Sequence, residues 1–227
     1  MKTLCVIPIK SKSERLPGKN LRFLYDKPLY QWTFDTIINC GFDRIVVDTD
    51  SNEVADAARE MGFEVLQRNP ALASNAATGN DLMMDHLVRL GVPDIYVQRL
   101  ITSPFLRTET IKLCVNFVRN DVDSAFTVVE RQGYFWNKCR PTNYDLDKLP
   151  NSASLPTWCE ETTGLYCIRG MVAKSLGRRI GNAPVLVPVS LVEAIDINLL
   201  NDWNLAEIVA DSNWWHKEAI RRGVQTR

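Results

Sequence analysis

Apolar runs of strand length alternate with amphipathic stretches through about the first 130 residues, and this rhythm restricts the fold more than any single residue. It predicts successive β-α-β units, hence an α/β chain on a mainly parallel sheet. A buried parallel strand needs an unbroken apolar run, and its return crossover needs a helix. Thr3 to Ile9 reads as one buried strand. Leu29 to Cys40 is apolar at 29, 32, 34, 37, 38 and 40 and closes on Gly41, as a helix with a C-terminal glycine does. Strands are expected at Arg44 to Val47, Glu64 to Gln67, Ile95 to Leu100 and Ala125 to Val129. Helices are expected from an N-cap at Ser51 to Gly62, from Asn80 to Leu90 before Gly91, and from Glu109 to Arg119. Between about Glu130 and Glu161 neither period holds, which predicts an inserted arm inside a single domain spanning 1–227. Regular structure is expected again at Leu165 to Ile168, at Val185 to Val189 and in a final helix from about Asp202 to Arg222.

Charge excludes some partners. With 27 Lys and Arg against 27 Asp and Glu, no global field favours nucleic acid or an anionic membrane, so an anionic ligand needs a local cluster. No apolar run approaches the ~20 residues that span a bilayer, and Met1 to Ile9 enters a strand without a secretory signal. The expectation is a soluble, cytoplasmic protein with no nucleic-acid or membrane partner. Cys5, Cys40, Cys114, Cys139, Cys159 and Cys167 form no Cys-x-x-Cys pair and read as buried reduced thiols. His86 and His216 are too few and too far apart for a zinc site, and neither lies in a nucleophile motif.

Ligands of open α/β sheets bind beyond the carboxyl ends of the strands. The loop after the first strand is the richest there, with Lys10, Lys12, Arg15 and Lys19 interleaved with Ser11, Ser13 and Gly18. Cations supply charge, serines and backbone N–H groups supply direction, and glycine lets the main chain approach a phosphate. A solvated basic turn is the other reading of the same residues. The Walker spacing and the dinucleotide fingerprint are both absent.

From Pro8 to Leu21 the chain resembles the cytidylyltransferases that activate sialic acid and Kdo, with their Pro-x-Arg, small-residue loop and Leu-Pro-x-Lys-Asn-Leu. In order, Val46 to Asp50 resembles Val-Ser-Thr-Asp, Arg68 to Ala73 resembles Arg-Pro-x-x-Leu-Ala, and Gln98 with Thr102 to Arg107 resembles Gln-Pro-Thr-Ser-Pro-Leu-Arg with residues inserted. Glu193 to Asn198 resembles the late Ile-Asp-Ile-Asp. The resemblance implies a Rossmann-like sheet of the nucleotide-diphospho-sugar transferase type with a dimerisation arm. It also implies transfer of CMP from CTP to an acceptor oxygen, with pyrophosphate leaving, Mg²⁺ required and a homodimer as the assembly.

On this likeness Lys10, Arg15 and Lys19 are the catalytic cations, Lys10 standing where the family has arginine. Pro8, Ser11, Ser13, Arg68, Thr78, Gly79, Asn80 and Gln98 contact the nucleotide, Asn80 reading equally as a helix N-cap. Mg²⁺ takes one or two carboxylates beside phosphates. Asp196 is the first candidate, with Asn198 where many relatives have aspartate and Asp50 as a further acid; Asp48-Thr49-Asp50 also resembles the Asp-x-Asp of metal-dependent glycosyltransferases.

The acceptor region departs from the pattern. Sialate-activating relatives have an arginine where this chain has Glu160 and Glu161, which disfavours plain sialic acid and suits an acceptor bearing an amine or hydroxyls near Glu161 and Thr163. A phosphate or phosphonate would use Lys138, Arg140 or Arg107. The expected role is activation of a nonulosonic-acid-like building block of surface glycans. The alternatives are a sugar-phosphate nucleotidyltransferase using another NTP, a non-catalytic nucleotide-binding module, and a glycosyltransferase. The aromatic residues Tyr134, Phe135, Trp136 and Trp158 on the arm suit a dimer contact.

Overall fold

A computed structural model describes residues 1–212 apart from positions 75 and 121. The chain runs β1 (Thr3–Ile9), β2 (Phe23–Leu24), β3 (Lys27–Pro28), α1 (Leu29–Ile37), β4 (Arg44–Thr49), α2 (Asn52–Glu60), β5 (Glu64–Gln67), α3 (Gly79–Leu90), β6 (Ile95–Arg99) and α4 (Thr108–Asn120). It continues through β7 (Ser124–Gln132), β8 (Trp136–Asn137), β9 (Arg140–Pro141), β10 (Thr157–Arg169), α5 (Gly170–Leu176), β11 (Pro184–Pro188) and α6 (Leu200–Asp211).

Seven strands form one sheet in the order β11-β7-β10-β6-β1-β4-β5. Neighbours pair in parallel except where β10 lies antiparallel between β6 and β7. Helices cover both faces, so the interior strand β1 is apolar without alternation. Cys5, Ile7 and Ile9 enter the core shared with α1, α2, α4 and α6, while Leu4 and Val6 enter the smaller one with Met83 and Leu87 of α3. Burying β1 on both sides anchors the loop that follows it.

Most expected elements lie where the sequence puts them, with differences that have physical causes. The helix from Leu29 tightens into a 3-10 turn over Ile38–Cys40 and ends at Gly41, whose φ of 75° suits glycine. Ser51 caps α2 through its hydroxyl, which accepts from the Val54 N–H. Asn80 is not the cap of α3. Thr78 takes that place, its hydroxyl accepting from Asp81 N–H while the Asp81 carboxylate accepts from Thr78 N–H, and the reciprocal pair excludes Asn80. Cys139 and Cys159 are exposed, against the expectation of burial, because they lie on the arm. The final helix is described to Asp211; its expected continuation to Arg222, with His216, lies outside the described residues.

The arm is not devoid of regular structure. β7 and β10 run on together past the core, pairing Thr157 with Gln132 and Glu160 with Val129, and carry the excursion that holds β8 and β9. Its side chains are solvent-facing, so the one-sided burial that gives a strand its sequence period is missing. There Trp136 and Trp158 are exposed, Phe135 stacks on Trp158, and Tyr144 meets both Tyr134 and Trp136 edge-on.

Candidate active site

A cleft of about 690 Å³ opens where the parallel strands end. The loop after β1 forms one wall with Pro8, Lys10, Ser13, Arg15 and Lys19; Arg68, Gly79 and Gln98 form another; Thr163, Asp196, Asn198 and Arg179 complete it. Leu72, Leu82, Leu100 and Ile101 give the cleft an apolar part suited to a flat base and a sugar.

The loop after β1 is fixed by its own polar groups. Asn20 Nδ2 donates to the Lys10 carbonyl at 2.7 Å, and Ser11 binds Asp50 through both its N–H, at 2.6 Å, and its hydroxyl, at 2.8 Å. The two contacts between Ser11 and Asp50 brace the loop. Neither residue lines the cleft, and Asp50 does not stand with Asp196. Arg15 donates to Oδ1 of Asn198 at 2.6 Å, and the buried Lys19 ammonium donates to the Ile197 carbonyl. Burial pulls the Lys19 pKa down to about 8; Asp196 works against this, and Arg15 and Lys10 add to it.

Arg68 is almost wholly buried, its guanidinium 2.7 Å from the equally buried Asp48 carboxylate. The same carboxylate oxygen takes His86 Nε2 at 3.0 Å, His86 Nδ1 meets the Tyr96 phenol at 2.8 Å, and Gln98 Nε2 donates to that phenol at 3.4 Å. A line of buried polar contacts therefore joins Arg68 to Gln98 through the interior. Burial alone would raise the Asp48 pKa; hydrogen bonds from His86 and Arg68, with their charge, outweigh it and hold the carboxyl below its ordinary value. Asp48 and His86 are 38 residues apart, so no local motif announces the pair.

Asp196 accepts from Thr163 Oγ1 at 3.0 Å and from Asn198 Nδ2 at 2.5 Å, both on Oδ2. Its Oδ1 is buried with no hydrogen-bond partner. An unpaired carboxylate oxygen at a cleft wall fits a hard cation that completes its shell with phosphates and water. Among the described residues no group of three or more acidic, His or Cys side chains forms a protein-only metal site. Thr163 reaches Asp196 because the register of β10 shifts between Glu161 and Tyr166, where Thr163 takes φ 57°.

Several acceptor candidates lie elsewhere. Arg107 pairs with the buried Glu193 at 2.6 Å and does not line the cleft. Lys138 and Arg140 are exposed at the β8–β9 hairpin. Glu161 accepts from the Tyr166 phenol at 2.8 Å and lines two recesses beside the cleft rather than the cleft itself. Thr78 and Asn80 line one of those recesses. Sequence reasoning missed Arg179, which projects from a short Gly-Arg-Arg-Ile-Gly turn that matches no motif.

Residues 4–138 match the cytidylyltransferase family model. The chain belongs to that family. It is 33% identical over 155 residues to the N-acylneuraminate cytidylyltransferase of Streptococcus agalactiae serotype V, a match covering 66% of this chain and 38% of that protein. The chain thus spans well under half the length of such curated relatives. Along nearly its whole length it resembles the CMP-N,N′-diacetyllegionaminic acid synthase of Legionella pneumophila, 29% identical over 229 residues, covering 94% of this chain and 98% of the other. Among solved structures, CMP:2-keto-3-deoxy-manno-octonic acid synthetase complexed with CTP superposes with a TM-score of 0.70 at 16% identity, covering 94% of this chain and 100% of that one. The 4-diphosphocytidyl-2C-methyl-D-erythritol synthase of Anaerococcus prevotii gives 0.66 at 11%, covering 92% and 99%. At these identities the structures share the fold of this cytidylyltransferase family member: a mainly parallel Rossmann-like sheet.

Proposed function

We propose that the chain transfers CMP from CTP to a hydroxyl of a nonulosonic-acid sugar, releasing pyrophosphate, in the cytoplasmic supply of a surface-glycan building block. The observation that carries this is the gathering of Lys10, Ser13, Arg15 and Lys19 around the same cleft as Arg68, Gly79, Gln98 and Asp196. Family membership and the near full-length likeness to the Legionella synthase support it.

The acceptor hydroxyl attacks the α-phosphorus and gives its proton to solvent, the bond to the β-phosphate's bridging oxygen breaks, and negative charge grows on the leaving pyrophosphate. Lys10, Arg15 and Lys19 meet that charge. Leu72 and Leu82 flank the space for the base. Asp196 would hold Mg²⁺ together with phosphate oxygens; when bound, the ion supplies further charge neutralisation at the phosphates. Asn198, neutral where relatives carry aspartate, keeps the Arg15 charge uncompensated instead of pairing it away. The arm, with Trp136 and Trp158 exposed, would supply the contact of a homodimer.

The test is pyrophosphate release with each of CTP, UTP, ATP and GTP and Mg²⁺, against N-acetylneuraminic acid, N,N′-diacetyllegionaminic acid, Kdo and a sugar phosphate. The expected result is turnover with CTP and a sugar acid. Preference for a purine triphosphate, or turnover of a sugar phosphate alone, would overturn it.

A further inference from the structure

Arg179 occupies the cleft wall as a cation held by neutral groups. It follows α5 on the way to β11 and lines both the main cleft and a recess of about 390 Å³ beside it. Its guanidinium donates to Oε1 of Gln98 at 2.8 Å and lies 3.8 Å from the Tyr166 ring centroid, and its backbone N–H donates to Oδ1 of Asn80 at 3.1 Å. Gly79 makes that position possible: a Cβ there would stand 2.3 Å from the Arg179 guanidinium. Among the described residues no carboxylate is ion-paired with it. An amide oxygen and an aromatic face orient a guanidinium without cancelling its charge.

The cleft therefore has two positive poles. The charges acting most strongly on Lys19 are those of Asp196, Arg15, Asp202 and Lys10, whereas Arg179 acts on Tyr96 and Tyr166. The first pole has several cations and suits a triphosphate. At the second, Arg179 is a planar fork, pre-oriented, with Arg178 and Glu161 lining the same recess. A fork matches a carboxylate in two parallel hydrogen bonds, while the nearby acid repels a dianion more than a monoanion.

We propose that Arg179, oriented by Gln98 and Tyr166, binds the carboxylate of the acceptor and sets the acceptor class as a sugar acid. This rests on the cytidylyltransferase reading above. Glu160 and Glu161, at the positions where sialate-activating relatives have an arginine, are acids and cannot supply this charge; Glu160 pairs with Arg131 on the arm and Glu161 holds the Tyr166 phenol.

The test separates binding from turnover. N,N′-diacetyllegionaminic acid, its carboxamide and a sugar phosphate are titrated calorimetrically into the CTP-loaded protein without divalent ion, for wild type, Arg179→Gln and Arg179→Lys. Pyrophosphate release is measured in parallel with Mg²⁺. Wild type is expected to bind the acid at least about tenfold more tightly than the amide, the scale of one charge-assisted bond. Arg179→Gln erases that preference, Arg179→Lys restores part of it, and CTP affinity moves less than about threefold in either, since the triphosphate lies at the other pole. An acid preference that survives Arg179→Gln, or tighter binding of the sugar phosphate, overturns the Arg179 assignment and leaves the cytidylyltransferase reading standing. Failure to bind CTP, or no pyrophosphate from any acceptor, overturns both.

Discussion

Two groups of cations in this molecule have opposite surroundings. Arg68, in the cleft wall, is paired with Asp48 at 2.7 Å, and Arg107, outside the cleft, with Glu193 at 2.6 Å, each with a buried carboxylate. At the cleft itself Arg15 is held by the Asn198 amide oxygen, Lys19 by the Ile197 carbonyl and Arg179 by the Gln98 amide oxygen. A carboxylate partner cancels a cation and makes it part of the scaffold. A neutral oxygen positions a cation and leaves its field for a ligand.

The sharpest way to break the distinction is to remove one cation from each group. Lys19→Met is expected to lower kcat/KM with CTP by about a thousandfold, in the range of lost charge stabilisation at a transition state, without lowering the midpoint of thermal unfolding. Burial already costs the Lys19 ammonium, as its lowered pKa records. A loss of stability to match the loss of rate would place Lys19 with the scaffold.

Asp48→Asn should do the reverse in kind. Leaving Arg68 buried without its carboxylate costs about 3 kcal/mol of unfolding free energy, read from urea denaturation. The Asp48 pKa is held below its ordinary value, so its contribution is full above the unfolded carboxyl pKa and disappears as pH falls through the lower, folded value. The stability of wild type should therefore fall more steeply than that of Asp48→Asn on the acid side. Parallel curves would remove Asp48 from the scaffold group.

A smaller effect concerns pH at the cleft. With Lys19 titrating at about 8, CTP affinity in the absence of metal should weaken as pH rises through that value, by at most about tenfold per unit. In Lys19→Arg the decline should vanish below about pH 10, because a guanidinium keeps its charge there. The smallest effect is expected from Arg107→Gln, which should change KM for a sugar-acid acceptor by less than about threefold while lowering stability through the unpaired Glu193. A large acceptor KM effect would return Arg107 to the ligand-binding group.

What the sequence revealed follows the range over which its information acts. β1 and β5 were readable to the residue because an apolar run between polar breaks is a local property, as are the glycines that close α1 and α2. The cations of the first loop were readable from their crowding into one short segment. The partner of each cation was not, since Arg107 meets Glu193 across 86 residues and Arg15 meets Asn198 across 183. Pairing decides which cations can serve a ligand, so Arg107 read as a site residue and Arg179 went unread. α5, with seven residues, is too short to establish a helical period, and the turn that carries Arg179 follows directly from it.

The interior line from Arg68 through Asp48, His86 and Tyr96 to Gln98 braces two residues of one cleft wall from behind. A survey of variants across α3 should find His86 behaving unlike its apolar neighbours Met83 and Leu87. Those would register as melting defects, whereas a change at His86 would also loosen the placement of Arg68 and Gln98 on their shared wall and surface as poor discrimination among nucleotides.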